Sequence, residues 1–181
     1  MDEPVSRVLI VGAGLGGVTL AAFLEQSGQD YLLVDKLQPT ENQGYSLGIW
    51  SNTRELLKRL QLDSPLSQMG TPIHTYDICD RQGHLLRQYD FHEFYRRYGM
   101  AYTQIHRQPL RDLIGSKVNQ DKIRWSTTVQ SIKQHRNGVE VNLSPGDPQW
   151  FDLVVCADGV HSVVREQCLA PLVQGAIGWR A

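Results

Sequence analysis

A chain of 181 residues, 41% hydrophobic and 20% charged, has the length and composition of one globular domain with a sizeable core, which excludes wholesale disorder. Eighteen Lys and Arg against nineteen Asp and Glu leave a formal charge of −1, and no run of like charges supplies the basic footprint of a nucleic-acid binder. Three cysteines without a C-x-x-C pair and six histidines without metal-ligand spacing argue against a disulfide framework and against a metal centre.

The start, Met1-Asp2-Glu3-Pro4, is acidic where a secretory signal is basic, and glycines break the apolar stretches well short of a membrane span. A soluble, cytoplasmic protein is the expectation. Val8 to Val11 then forms a short aliphatic run that predicts a strand. After several glycines, Val18, Ala21, Ala22 and Leu24 recur at helical spacing as far as Gly28, a stop signal. Tyr31 to Val34 predicts a second buried strand, so the segment reads as a βαβ unit with a right-handed crossover and a parallel pair. Polar residues from Lys36 to Gly44, with Pro39 among them, predict a loop. Leu56, Leu57, Leu60 and Leu62 predict a short amphipathic helix. Ile73 to Phe91 reads as two strands around Arg81-Gln82-Gly83, an excursion from the βαβ pattern, and Arg96-Arg97 beyond it reads as a solvated polar face.

Tyr102 to Ile105 predicts a further strand. The helix after it carries Leu110, Leu113, Ile114 and Val118 on one face, with Pro109 tolerated in its first turn. Lys122–Ser126, Thr128–His135 and Val139–Leu143 predict short strands, the last two joined at Asn137-Gly138, a strong hairpin signal. Phe151 to Gly159 predicts a final buried strand that runs into a turn, with Cys156 as a small buried hydrophobe. No internal repeat or low-complexity segment interrupts this order.

Gly12-Ala13-Gly14-Leu15-Gly16-Gly17 satisfies G-x-G-x-x-G directly after a strand and at the opening of a helix, the context that gives the pattern meaning. Gly12 permits the tight turn, Gly14 lets a pyrophosphate approach the backbone, and Gly17 lets helix and strand pack closely. Free amides at the helix start attract the phosphates. Asp35, at the end of the second strand, is placed to accept hydrogen bonds from an adenosine ribose, and Lys36 beside it is either a further contact or a solvated surface residue. The fold class is therefore α/β: a Rossmann-like domain with a βαβ unit, a parallel sheet and an antiparallel β-meander. One domain over residues 1–181 is expected, with an excursion at about 72–92.

The fingerprint does not separate NAD, NADP and FAD. The order of five segments does more: the glycine loop, Leu32-Leu33-Val34-Asp35-Lys36, Gly44 to Leu62, Tyr102 to Ile114, and Asp152 to Glu166 with its Ala-Asp-Gly-x-x-Ser-x-x-Arg element at Ala157 to Arg165. Together they resemble the N-terminal half of FAD-dependent monooxygenases of the para-hydroxybenzoate hydroxylase class. The resemblance implies an FAD-binding domain, incomplete relative to the family, in which Gly12, Gly14 and Gly17 hold the pyrophosphate and Asp35 the adenosine ribose; Leu15 and Gly16 of the same loop, and Lys36, are further candidate cofactor contacts. By the same resemblance Arg107 contacts the cofactor near its phosphates, the backbone of Val129 meets the adenine, and Asp158 and Gly159 support the cofactor and transiently NADPH. Gly44 to Gly48 would lead toward the flavin ring.

The residues alone leave alternatives open. Arg107 could be a helix-start cation paired with Asp112, and Asp158-Gly159 a plain turn with Ser162 capping a helix. Tyr45 and His92 are imaginable pocket residues for which packing or surface roles weigh more. The implied activity is NAD(P)H-dependent hydroxylation or epoxidation of a small organic substrate through FAD, not expected of this chain alone, because the family's later half supplies further cofactor contacts and the substrate wall. No catalytic residue is identified. The implied partners are a small-molecule substrate and a complementary C-terminal chain or a second copy, with no nucleic acid and no membrane span. A non-catalytic nucleotide-binding or interaction module is the alternative. A nicotinamide-only dehydrogenase is weaker, because no Tyr-x-x-x-Lys or equivalent follows the fingerprint.

Overall fold

The computed structural model describes residues 7–39, 44–98 and 102–169, and the chain divides into two compact units, residues 43–114 and the remainder. The first unit opens with β1 (Val8–Val11), α1 (Leu15–Ser27) and β2 (Tyr31–Val34). The second contains β3 (Ser46–Ile49), α2 (Ser51–Arg59), α3 (Asp63–Met69), β4 (Thr71–Ile73), β5 (Thr75–Cys79), β6 (Leu85–Asp90), α4 (His92–Tyr98), β7 (Tyr102–His106) and α5 (Arg107–Gly115). The chain then returns to the first unit with β8 (Ile123–Arg124), β9 (Thr128–His135), β10 (Gly138–Ser144), β11 (Gln149–Phe151), β12 (Leu153–Cys156) and α6 (Val163–Leu169).

In the first unit four strands form a parallel sheet in the order β12-β1-β2-β8, with Ile10 opposite Val155 on one side and Leu33 on the other. Side chains alternate across a strand, so β1 and β2 present two apolar faces. Leu9, Val11, Leu32 and Val34 pack on Val141, Leu143 and Phe151 of the antiparallel sheet β11-β10-β9. The other face lies under α1, whose Gly17, Val18, Ala21 and Ala22 are buried. Gly28 ends that helix in the left-handed conformation, φ 70°, as the stop signal required. The expected hairpin is present, but its two-residue turn is Arg136-Asn137, one residue before the predicted Asn137-Gly138, because Gly138 already pairs with His135. The short third strand of the meander, β11, has no counterpart among the predicted elements.

A polar tie joins α1 to the sheet. The Tyr31 hydroxyl donates to Glu25 Oε2 at 2.7 Å, and Lys122 Nζ donates to the same oxygen at 3.1 Å. The Tyr31 hydroxyl, and then Lys122, hold the Glu25 carboxyl below its ordinary value of 4.5. A depressed carboxylate contributes stability that is complete above its unfolded pKa and is lost as the pH falls through the folded one. Glu25→Gln is therefore expected to cost about 0.2–1 kcal/mol at pH 7 and to flatten the loss of melting temperature between neutral pH and pH values below 4.5. Thermal denaturation across that range checks both, and an unchanged acid limb would count against the tie.

In the second unit, β7 pairs antiparallel with β3 and β4 instead of extending the parallel sheet. The strand predicted at Tyr102 is thus present but belongs to a different sheet. The helix expected around Leu56–Leu62 stops at Arg59, and α3 follows it, with Pro65 accommodated in its first turn. Leu57, Leu60, Leu62 and Leu66 are buried, whereas Leu56 is exposed. The excursion is the antiparallel ribbon β5-β6, whose residues are exposed throughout.

Candidate cofactor site

β1 runs straight into the glycine loop, and hydrogen bonding of Gly12 N–H to Val34 C=O (2.8 Å) fixes the loop over the end of the sheet. Gly12 has φ +104°, which side chains rarely adopt, and any Cβ there would run into the backbone of Ala157 and Asp158. Gly17 is helical, yet a Cβ would strike the carbonyl oxygen of Gly12. Gly14 caps α1 in an extended conformation, φ −69°, and no side chain bonds to the helix start. The first helical hydrogen bond is Val18 N–H to Gly14 C=O, 3.0 Å, so the amides of Leu15, Gly16 and Gly17 precede the ladder. Gly16 is exposed with open space where its Cβ would stand. A short, uncapped, sterically cleared helix start of this kind suits an anionic group.

Asp35 sits where the sequence placed it, at the end of β2, and its carboxylate has a second task. Oδ2 accepts from Ala13 N–H at 2.6 Å and Oδ1 from Leu37 N–H at 2.8 Å. Its own N–H donates to Arg124 C=O, and its C=O accepts from Thr127 N–H. The acid is thereby locked against the glycine loop, and each carboxylate oxygen keeps a further lone pair for a hydroxyl donor. Lys36 is exposed. Nothing in the sequence pattern marks Ala13 N–H as the partner of Asp35.

The Ala157–Gly159 element arrives from the far end of the chain. β12 lies beside β1, and Ala157 N–H donates to Val11 C=O at 2.7 Å, setting the Ala157-Asp158 backbone against Gly12. Gly159 follows with φ +82°. Oδ1 of Asp158 is buried without a hydrogen-bond partner among the described residues, and such a group costs about 1–3 kcal/mol unless a ligand or water answers it. Ser162 caps α6, its hydroxyl accepting from Arg165 N–H at 2.9 Å. The capping role and the site role of this segment are therefore compatible.

Two other residues stand apart. The Val129 side chain belongs to the core with Leu143 and Phe151, and the skipped register beside it frees Gln130 C=O to accept from Gln167 at 3.0 Å. Arg107 begins α5 in the second unit, its N–H donating to Tyr45 C=O at 2.8 Å and its guanidinium lying 5.9 Å from the Tyr45 ring centre. Gln108 Nε2 donates to Asp112 Oδ1 at 2.9 Å. Tyr45 is exposed, and His92 Nδ1 lies 2.7 Å from Asp90. Gly48 lies inside β3, where its missing side chain makes room for the Tyr102 ring, which packs 4.7 Å from Trp50.

One expectation is overturned. The final strand, expected to be buried, has Leu153 and Cys156 exposed and Val154 and Val155 only half-buried, and among the described residues it pairs with β1 alone. Partial burial of the Cys156 thiol, and then the Asp158 carboxylate and Cys168, still push its pKa up.

The chain is similar to several known proteins. FAD-dependent monooxygenase janM of Penicillium janthinellum is 32% identical over 174 residues, which cover 92% of this chain and 36% of the relative. 6-Hydroxynicotinate 3-monooxygenase of Pseudomonas fluorescens is 25% identical over 177 residues, 97% of this chain and 46% of the relative. Among solved structures, Klebsiella pneumoniae HpxO complexed with FAD and uric acid superposes with a TM-score of 0.78 at 24% identity, over 91% of this chain and 42% of that one. p-Nitrophenol 4-monooxygenase PnpA of Pseudomonas putida gives a TM-score of 0.80 at 18% identity, over 90% and 43%. The chain thus spans less than half the length of these relatives and corresponds to their N-terminal portion. With residues 5–177 matching the FAD binding domain model, the chain belongs to that family, the FAD-binding domain of flavin-dependent monooxygenases.

Proposed function

We propose that this chain provides the adenosine and pyrophosphate half of the FAD site in an NAD(P)H-dependent monooxygenase acting on a small organic substrate by hydroxylation or epoxidation. The observation that carries the reading is the junction of Gly12 with Ala157-Asp158, which joins the phosphate loop to an element about 145 residues later and leaves Asp158 Oδ1 buried and unanswered. In this reading the amides of Leu15, Gly16 and Gly17 face the pyrophosphate, Asp35 accepts from the ribose with Lys36 alongside, and the Val129 backbone meets the adenine. Asp158 and Gly159 orient the cofactor, and Arg107 contributes a fixed positive charge toward its phosphates. FAD supplies the redox chemistry of its isoalloxazine ring, and the chain's residues bind and orient it. NAD(P)H as electron donor and a cytoplasmic setting belong to the same proposal. Among the described residues no helix is long and apolar enough to cross a membrane.

The half-site should bind weakly by itself. Nanomolar affinity needs about 12 kcal/mol, whereas charge-assisted hydrogen bonds give about 1.5–3 kcal/mol each and must offset the entropy of association. Titration of FAD followed by flavin fluorescence and absorbance is expected to saturate with a micromolar or weaker Kd and to vanish in Gly14→Asp, which sets a carboxylate against the phosphates. A dissociation constant below about 10 nM, or equal binding by Gly14→Asp, would refute this reading. A second reading is a non-catalytic nucleotide-binding or interaction module, which the uncapped glycine loop and Asp35 would serve equally well. Flavin-dependent NAD(P)H oxidation restored by a complementary chain would separate the two.

A further inference from the structure

Two of the three cysteines, Cys156 and Cys168, line one groove of about 480 Å³ in the first unit, together with Ile132, Val139, Val154 and Val164. The strand register brings the first of them there. Cys156 is paired with Val11, and paired residues of neighbouring strands point to the same face, so its side chain lies on the face where Leu9, Val11 and Val164 pack. The helix brings the second. Val164 of α6 is 1% exposed in that same cluster, and Cys168 follows it by four residues, about one turn along the same side of the helix. Gln167, next to Cys168, donates to Gln130 C=O of β9 at 3.0 Å and holds this turn against the meander. Both cysteines are exposed, and Cys168 is among the groups that raise the Cys156 pKa, so the two sulfurs are near enough for their charges to interact.

We propose that Cys156 and Cys168 are a redox-active pair that hydrogen peroxide closes to a disulfide, tying the end of α6 to β12. The bridge encloses Ala157 to Gln167, so it fixes from both ends the turn that carries Asp158 and Gly159. Burial and the Asp158 carboxylate keep Cys156 protonated at neutral pH, which makes it the resolving partner. The Cys168 thiolate attacks one peroxide oxygen, and an S–O bond forms as the O–O bond breaks and hydroxide leaves. The Cys156 sulfur then attacks the resulting sulfenic acid: the S–S bond forms, the S–O bond breaks, and the departing oxygen takes the Cys156 proton and leaves as water. Two thiols and one peroxide give one disulfide and two waters, with two electrons passing from sulfur to oxygen. Cys79, on β5 in the second unit, is the internal control.

The test treats the complete 181-residue chain with an equimolar amount of hydrogen peroxide at neutral pH and blocks the remaining thiols with iodoacetamide. Two of the three thiols are expected to be lost, with the monomer lighter by two hydrogens and Cys79 alkylated. Trypsin cuts after Arg165, between the two cysteines, so the bridge is read as peptides 137–165 and 166–180 joined until dithiothreitol parts them. Oxidation should raise the melting temperature by about 5 °C or more, as a cross-link across a short loop does, and slow amide exchange from Asp158 to Ser162. Cys156→Ser and Cys168→Ser, both at exposed positions, should fold as the unmodified chain does and lose the joined peptides and the shift together. Cys156 and Cys168 left free or over-oxidised after peroxide, or a bridge found only between molecules or to Cys79, would overturn the proposal. So would a joined pair that lowers the melting temperature, since the fold would then have to open to make the bond. Flavin plays no part in these readouts, so a failed FAD titration sinks the reading above and leaves this inference standing.

Discussion

Gly17→Val is expected to lower the melting temperature by about 6–12 °C and to abolish flavin binding. The added Cβ meets the carbonyl oxygen of Gly12, lies 3.0 Å from the Gly12 carbonyl carbon, and lies 3.4 Å from Ile10 Cγ2. None of these is the far end of a flexible side chain. Either α1 lifts from β1 or the loop is rebuilt, and overpacking of a rigid contact costs about 1–3 kcal/mol or more. At about 2–4 °C per kcal/mol for a chain of this size, a cost near the upper end gives the stated shift. Both relaxations move the amides of Leu15 and Gly16 from the position a pyrophosphate needs, so affinity falls with stability. Gly16→Ala is the control, since its Cβ meets nothing within 4 Å and should leave the melting temperature intact. Equal melting of Gly17→Val and the unmodified chain would mean that the close approach of α1 to Gly12 does not hold in solution.

Asp35→Ala is expected to cost about 1–3 kcal/mol, because it orphans the buried N–H of Ala13, a residue only 1% exposed. The Leu37 N–H, the other donor to this carboxylate, is exposed and can turn to water. Asp35→Asn keeps one carbonyl oxygen for Ala13 and should retain most of the stability. On the proposed ribose role, both variants lose charge-assisted hydrogen bonds worth about 1.5–3 kcal/mol, and FAD affinity should fall about 10–100-fold. Chemical denaturation and flavin titration of the two variants separate the structural from the binding contribution. If Asp35→Asn bound FAD as tightly as the unmodified chain, the acid would be a brace for the glycine loop and nothing more.

The βαβ unit was legible because its information is local. Val8–Val11 and Tyr31–Val34 are buried on both faces, Gly12 needs a positive φ, and Gly28 ends the helix between them. The meander was legible for the same reason: Asn137-Gly138 marked a tight turn between two strands, and the turn formed one residue earlier, at Arg136-Asn137. The second unit was read less well. Tyr102–His106 resembles a strand in any sheet, and only its pairing with Ser46–Ile49 and Thr71–Ile73 placed it in an antiparallel one. Residues 63–69 were missed as a helix because Pro65 suppresses the signal, although a proline in the first turn removes no hydrogen bond the helix would have made.

For the candidate site, the amino-acid sequence by itself determined which groups are available: the glycines, the uncapped helix start, the acid after the second strand, and the Ala-Asp-Gly element. Spacing along one strand-turn-helix fixes such groups, because neighbouring residues share one local geometry. Only the tertiary structure decided that Gly12 abuts Ala157-Asp158, that Ala13 holds Asp35, and that Cys156 is exposed instead of in the core. Those outcomes follow from which strands become neighbours, and strand order is chosen by the burial of whole faces across long sequence separations, which no short pattern encodes.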